Sequence, residues 1–229
     1  MSSPTRSLRV KRLGVADYAA TYAAMQAFTA ARTRTTDDEL WLLEHPQVYT
    51  LGLNGKPEHL LNPGSIPVVK VDRGGQVTYH GPGQIVAYAL LDLRRMNLGV
   101  RVLVSAMERA VLSLLAAHGV TGHLLAHAPG VYVEDAKVAA LGLRVKQGAC
   151  YHGLALNVDM DLAPFASINP CGYAGLRVTQ TRDLGIPQDA HTLAGELAEA
   201  LAGELGYTLT PTPISREARH GGCPTESVR

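Results

Sequence analysis

Cys171 stands in the run Ile168-Asn169-Pro170-Cys171-Gly172-Tyr173. Proline and glycine on either side put the thiol on a fixed turn rather than inside a helix or strand. A thiol held that way acts as a nucleophile when a nearby positive group favours the thiolate. The plain alternative is a small buried hydrophobe, the usual fate of a free cysteine. Cys150 opens an apolar strand and fits that plain reading, and Cys223 falls in a polar tail. A thiolate needs a partner. Lys137 heads the run Lys137-Val138-Ala139-Ala140-Leu141-Gly142-Leu143, with Glu134 and Asp135 its only close charges in sequence. Its ε-amine is a compact charge whose pKa moves readily on desolvation, so it can lower a thiol pKa and exchange a proton. Otherwise a lysine at a hairpin end is a solvated surface group. His80 and His152, each followed by glycine, are the other candidate bases, and spacing does not choose among the three.

Arg73-Gly74-Gly75-Gln76-Val77-Thr78-Tyr79-His80-Gly81-Pro82-Gly83-Gln84 surrounds a short β-like tetrapeptide with glycines. Glycines there let backbone N–H groups approach a ligand, with Arg73 and His80 offering polar contacts. A hairpin with glycine-rich turns reads equally well. The segment matches neither G-x-G-x-x-G nor G-x-x-x-x-G-K-[ST], so no nucleotide loop follows. His123 and His127 are four apart but lack the carboxylate of an H-E-x-x-H metal site. There is no G-x-S-x-G elbow. Arg94-Arg95 and Arg144 with Lys146 are small basic clusters that read as solvated faces.

The elements that must position these groups follow from periodicity. Strands are expected at Leu8–Leu13, Leu40–Leu43, Ile66–Val71, Gln76–Tyr79, Gln84–Leu91 and His152–Val158. A hairpin joins Val131–Glu134 to Val138–Lys146 through Glu134-Asp135-Ala136. Asp17 caps a helix carrying Tyr18, Tyr22 and Met25 on one side. Val100–His118 is the clearest helix: Leu103, Met107, Val111, Leu114 and His118 form a stripe, and Gly119 is the stop. Leu193, Leu197, Leu201 and Leu205 mark a last helix, ended by Gly206. A loop rich in Gly, Pro and Asn spans Gly52–Gly64, and Pro164–Val178 is irregular. Strands come in runs with helices interposed, which favours an α/β domain of the α+β type built on a mixed β-sheet. One domain over 8–210 is expected, with a mobile polar tail over 211–229.

The chain has 229 residues, enough for one large domain that buries a core without staples or metal. Twenty-one Lys and Arg against 20 Asp and Glu give a formal charge of +1, which argues against a nucleic-acid surface. The longest apolar run, Ile85–Leu91, is far too short for a membrane span, and the N-terminus lacks a signal-peptide core. Three scattered cysteines without a C-x-x-C pair indicate free thiols in the reducing cytoplasm.

Taken in order, the segment Arg73–Gln84 with Tyr88, Lys137–Arg144, His152-Gly153-Leu154-Ala155-Leu156-Asn157 and Asn169–Tyr173 resemble the lipoyl(octanoyl) transferase family of acyltransferases. Leu43-Glu44-His45-Pro46 with Tyr49-Thr50 also matches, and the likeness runs from about Leu40 to Thr179. The resemblance implies a fold shared with biotin and lipoate protein ligases, a mixed sheet flanked by helices. It implies Cys171 as acyl-accepting nucleophile and Lys137 as its proton partner. It implies an acyl pocket lined by Arg73, Gly74, Gly75, Gln76, Val77, Thr78, Tyr79 and His80, by Ala140, Leu141 and Gly142, and by Gly153, Leu154 and Ala155. It implies octanoyl-acyl carrier protein as donor and, as acceptors, the lipoyl domains of 2-oxoacid dehydrogenase complexes and the glycine cleavage H protein. No cofactor or metal is expected, since the substrate carries its own phosphopantetheine, and neither nucleic acid nor membrane is expected as a partner.

The nearest rival of the same fold is an ATP-dependent lipoate or biotin protein ligase, which activates the acid as an adenylate and needs no nucleophilic cysteine. Pro170-Cys171-Gly172, and the Gly81-Pro82-Gly83-Gln84 run after His80, favour the transferase. A silent acyl-binding module would need neither Cys171 nor Lys137. A thiol hydrolase would pair Cys171 with His80 or His152.

Overall fold

The computed structural model describes residues 6–126, 128–170 and 175–211. Cys171, Gly172 and Tyr173, His127, and residues 212–229 with Cys223 lie outside the described residues. The elements in chain order are β1 (Arg6–Val15), α1 (Tyr18–Ala30), β2 (Asp38–Glu44), β3 (Val48–Leu51), β4 (Val68–Lys70), β5 (Val77–His80), β6 (Gln84–Asp92), α2 (Leu93–Met96), α3 (Val100–Ala117), β7 (His123–Leu125), β8 (Ala128–Val133), β9 (Ala136–Lys146), β10 (Ala149–Asn157), β11 (Arg177–Val178), α4 (Ala190–Leu205) and β12 (Tyr207–Pro211).

Among the described residues a large mixed sheet runs β12-β1-β2-β6-β10-β9-β8-β7, with β11 added beside β9, and a small one runs β4-β3-β5. The β12–β1, β1–β2 and β9–β11 pairs are parallel, and the rest of the large sheet is antiparallel. The long apolar run of β6 is explained by cover on both faces. Ile85, Ala87, Ala89 and Leu91 pack with α3 and α4. Val86, Tyr88 and Leu90 alternate to the opposite face, with Met25 of α1 and Trp41 of β2. The small sheet brings its own core, in which Tyr49, Leu51, Val77 and Tyr79 pack with Phe165 and Ile168.

The helices start and stop where the sequence indicates. Asp17 Oδ1 accepts the Ala20 N–H at 2.8 Å to cap α1. Leu103, Met107, Val111 and Leu114 are buried along α3, and Leu193, Leu197, Leu201 and Leu205 along α4. Gly119 and Gly206 take left-handed φ angles of +76° and +69° just past the helix ends. The strand expected over Ile66–Val71 shrinks to Val68–Lys70, because Pro67 has no N–H to give and offers its carbonyl to the Tyr49 N–H at 2.8 Å. β3 and β12 arise where no strand was expected, and β12 takes in Pro211, the first residue of the expected tail. Among the described residues no helix is long and apolar enough to cross a membrane.

Candidate active site

The small sheet closes against the middle of the large one and leaves a cavity between them. One wall is strand backbone and aliphatic carbon: Ala140, Leu141 and Gly142 of β9, Gly153, Leu154 and Ala155 of β10, and Val86 of β6. The other is ring and loop: Tyr18, Tyr88, His80 and His152, with Arg73, Gly75, Gln76, Val77 and Thr78. Gly153 sets how close the strands lie. A Cβ there would fall 1.9 Å from the Ala87 carbonyl oxygen of β6, so only glycine fits without moving backbone. The loop before β5 is tied to β9 by the Gly74 N–H, which donates to the Leu143 carbonyl at 2.9 Å.

The rings are held in uncharged form. Strict alternation along β10 would send His152 to the α3–α4 face with Cys150 and Leu154. Instead His152 takes φ +62°, rare for a side-chain-bearing residue, and its imidazole stacks on Tyr22 of α1, centroids 5.4 Å apart, and meets Tyr88 edge-on at 6.0 Å. Its Nε2 lies 3.3 Å from Asp72 Oδ1. Burial pushes the His152 pKa down to about 4, with the Asp72 hydrogen bond only partly offsetting it. Burial, reinforced by His45, pushes His80 down to about 3. His45 is lowered by burial as well; it holds the Ala16 carbonyl at 2.6 Å and the Tyr88 hydroxyl at 2.8 Å. Burial works against the charge of Asp72, yet hydrogen bonds from Tyr151, Tyr22 and His152 hold its carboxyl below the usual range. Arg73 is the one cation among the lining residues; it donates through Nη2 to the Thr50 carbonyl and hydroxyl, both at 2.8 Å, and through Nη1 to the Gly74 carbonyl at 3.0 Å.

Lys137 sits three residues before Ala140, about 10 Å along the strand. It is not the solvated lysine of a hairpin end: only 3% of it is exposed. The hairpin turn at Glu134, φ +51°, starts β9 one residue before Lys137, and a bulge at Val138 breaks the β8–β9 register. The side chain then runs over Gly130, where a Cβ would meet Lys137 Cε at 2.9 Å and Nζ at 3.1 Å. Nζ donates to the Pro129 carbonyl at 3.1 Å and lies 5.1 Å from the centre of the Tyr132 ring. On the other side β11 pairs with β9 at Ala136 and Lys137, just past the end of the β10 ladder at Leu156–Ala139. Cys171 lies outside the described residues, so its distance from Lys137 is not part of this geometry. Cys150 is fully buried, donates to the Ala89 carbonyl at 3.3 Å, and burial pushes its thiol up to about 12, which makes it inert.

The model of the lipoyl protein ligase A/B catalytic domain matches residues 17–202. The chain belongs to this family. It is 64% identical over 199 residues to an octanoyltransferase of Nitrosospira multiformis, covering 86% of this chain and 92% of that one. It is 60% identical over 196 residues to an octanoyltransferase of Dechloromonas aromatica, covering 86% and 96%. Among solved structures, the bipartite lipoate protein ligase of Thermoplasma acidophilum superposes with a TM-score of 0.69 at 14% identity, over 91% of this chain and 88% of that one. The biotin protein ligase of Aquifex aeolicus superposes at 0.52 and 12% identity, over 87% and 70%. At such identities these likenesses show the fold alone: a mixed sheet with helices in a single domain.

Of the pocket residues implied by resemblance, the fold brings all but two to the cavity. Tyr79 alternates away from it into the core of the small sheet, against Tyr49 and Phe165, and Gly74 is spent on Leu143. Tyr18, Val86, Tyr88 and His152 line the cavity in addition; Tyr18 was legible only as the first apolar residue of a helix stripe. The basic clusters separate: Arg95 makes a 2.7 Å ion pair with the buried Asp38, and Arg144 lies 3.8 Å from Asp72. Lys146 is about 30 Å along β9 from Lys137. Among the described residues no group of three or more His, Cys, Asp or Glu could hold a metal ion.

Proposed function

We propose that the chain is an octanoyltransferase that moves an octanoyl group from acyl carrier protein, through a thioester on Cys171, to the ε-amine of a lysine in a lipoyl domain. The observation that carries the activity is the 60–64% identity to octanoyltransferases over 86% of this chain and more than 90% of theirs. The cavity supports the substrate class. Its aliphatic wall and uncharged histidines suit an acyl chain, with each buried CH₂ contributing roughly 0.8 kcal/mol.

In this mechanism the Cys171 thiolate attacks the thioester carbon of the octanoyl donor, and the phosphopantetheine thiol leaves with a proton from Lys137. The acceptor lysine amine then attacks the acyl-enzyme, passes a proton to Lys137, and Cys171 departs as thiolate. A thioester is already activated and an amide is more stable, so neither step calls for ATP, a metal or another cofactor. Covalent capture lets two bulky protein substrates, the carrier protein and the lipoyl domain, bind in turn. The carrier arm must deliver its thioester at the Lys137 end of β9, and the basic residues Arg94, Arg95, Arg144 and Lys146 are the candidates for docking the acidic carrier protein, a role that an unchanged KM for the carrier across salt after charge reversal would exclude. The free-thiol reading of the cysteines fits the cytoplasm. The test supplies purified protein with a lipoyl domain and either octanoyl-acyl carrier protein alone or octanoate plus ATP. Modification in the first arm supports transfer, and modification only in the second would establish a ligase.

A further inference from the structure

Three buried side chains and one backbone segment form a continuous hydrogen-bonded chain from the cavity wall to Lys137. His80 Nδ1 lies 2.7 Å from Gln84 Oε1. Gln84 Nε2 donates to Asn157 Oδ1 at 2.9 Å and to the Tyr79 carbonyl at 3.3 Å. Asn157 Nδ2 donates to the Thr179 carbonyl at 2.9 Å, and the Thr179 N–H donates to the Lys137 carbonyl at 3.0 Å. The Asn157 carbonyl also accepts the Thr181 N–H at 3.0 Å, so one residue grips both ends of the stretch 179–181.

The chain has one direction. Gln84 Nε2 already serves two oxygens, so the atom facing His80 is Oε1, an acceptor, and His80 Nδ1 must carry the proton. With the imidazole neutral, Nε2 keeps its lone pair. Asn157 is oriented in the same way, its oxygen toward Gln84 and its nitrogen toward Thr179. Gln84 is 2% exposed and Asn157 5%. If this pair only filled space, two apolar side chains of the same shape would do as well. A fully satisfied buried network instead enforces one geometry.

We propose that Gln84 and Asn157 are positioning residues, which hold 177–181 in register on the Lys137 end of β9 and couple the placement of Lys137 to the tautomer of His80 in the cavity wall. The inference rests on the reading of Lys137 as the proton partner of Cys171. The held segment enters six residues after Cys171 in sequence. Its β11 strand flanks Lys137 on one side while Pro129, Gly130 and Tyr132 of β8 flank it on the other, with the buried Glu108 of α3 accepting the Gly130 N–H at 3.1 Å. A slip of β11 therefore moves the backbone that carries the amine.

The test times acyl-enzyme formation from octanoyl-acyl carrier protein across pH in the full-length protein, for wild type, Asn157→Leu, Gln84→Leu and Lys137→Met. Asn157→Leu keeps the shape and deletes the amide, and Gln84→Leu deletes the amide and shortens the side chain by one bond; Asn157→Ser replaces Asn157→Leu if that variant does not fold. Acylation at pH 7 is expected to fall about 10- to 100-fold in the leucine variants, the scale of a misplacement near 1 Å. The pH midpoint of the rate is expected to move up toward that of an ordinary cysteine, near ~8.5. Imidazole ¹⁵N spectra are expected to show His80 protonated at Nδ1 in wild type and mixed in Gln84→Leu. A midpoint unchanged in the leucine variants, while Lys137→Met is crippled, would overturn the positioning role alone. A Lys137→Met variant with the wild-type rate and profile would overturn the reading of Lys137, and the proposal with it.

Discussion

The cavity and the Lys137 end of β9 lie about 10 Å apart and treat buried polarity in opposite ways. In the cavity, burial is the largest influence: His80 and His152 are driven to pKa values of about 3 and 4, and ring faces with the single cation Arg73 form the wall opposite the aliphatic one. At Lys137 the fold instead hollows β8 at Gly130 and turns a carbonyl and an aromatic face toward the amine. One region is furnished to hold a chain without charge, the other to hold an amine that exchanges protons. Burial is not one environment: what is supplied along with it decides which chemistry survives.

The strongest way to break this contrast is Lys137→Met, which keeps the stem and removes the amine. Acyl-enzyme formation, followed by intact mass, is expected to fall about 10²- to 10⁴-fold, the range of general acid–base catalysis. A loss below threefold would mean the furnished amine is ornamental. Next comes the cavity wall. A Cβ at Gly142 would stand 3.1 Å from both Arg73 Cδ and the Gly74 carbonyl, so Gly142→Val intrudes on the space between the walls. Octanoyl transfer is expected to drop about tenfold against hexanoyl, the worth of one to two buried CH₂ groups. Competition between the two donors checks it, and an unchanged ratio would place the chain elsewhere.

The uncharged histidines make a smaller prediction about stability. Their folded pKa values lie below the ~6.5 of the unfolded chain, so between about pH 6.5 and pH 4 the unfolded state binds protons that the folded state refuses. Stability is therefore expected to fall as pH drops through that window, by about 2 kcal/mol per histidine between pH 6.5 and 5. Asp72, held low, adds to the loss further down, as its carboxyl protonates. Urea midpoints at pH 7 and pH 5 measure the slope. His152→Asn, a residue that tolerates the left-handed backbone, is expected to flatten it. The smallest effect belongs to Cys150→Ala: no change in acylation rate, and a cost of about 1 kcal/mol for the buried group it trims. A rate change there would mean that a thiol pushed up to about 12 still acts in the chemistry.

Much of the frame was legible in the residues. Leucines four apart fixed the α4 face, the stripe from Leu103 to Leu114 fixed α3, and apolar runs located β6 and β10. β3 and β12 were missed because four or five residues give alternation little to show. The cavity segments were visible as glycine-bearing runs, and their joint arrival in one cavity needed the closure of the small sheet on the large one. His152 was a candidate from its residue type, but its facing escaped pattern reasoning because a single φ of +62° reverses the face that a period of two assigns it. The burial of Lys137 escaped for a similar reason: the space that accepts it is made by a glycine on a different strand. Gln84 and Asn157 stood inside the motif runs but without a role, since a buried amide pair is recognisable only once both partners are placed.

The measurement that bears most directly on the central claim is intact-protein mass spectrometry after mixing with octanoyl-acyl carrier protein in the absence of ATP, on wild type and Cys171→Ser. A single octanoyl adduct is expected on wild type that hydroxylamine removes, that a lipoyl domain discharges, and that Cys171→Ser does not form as a hydroxylamine-labile species. No adduct on wild type, together with lipoyl-domain modification only when octanoate and ATP are supplied, would contradict that claim.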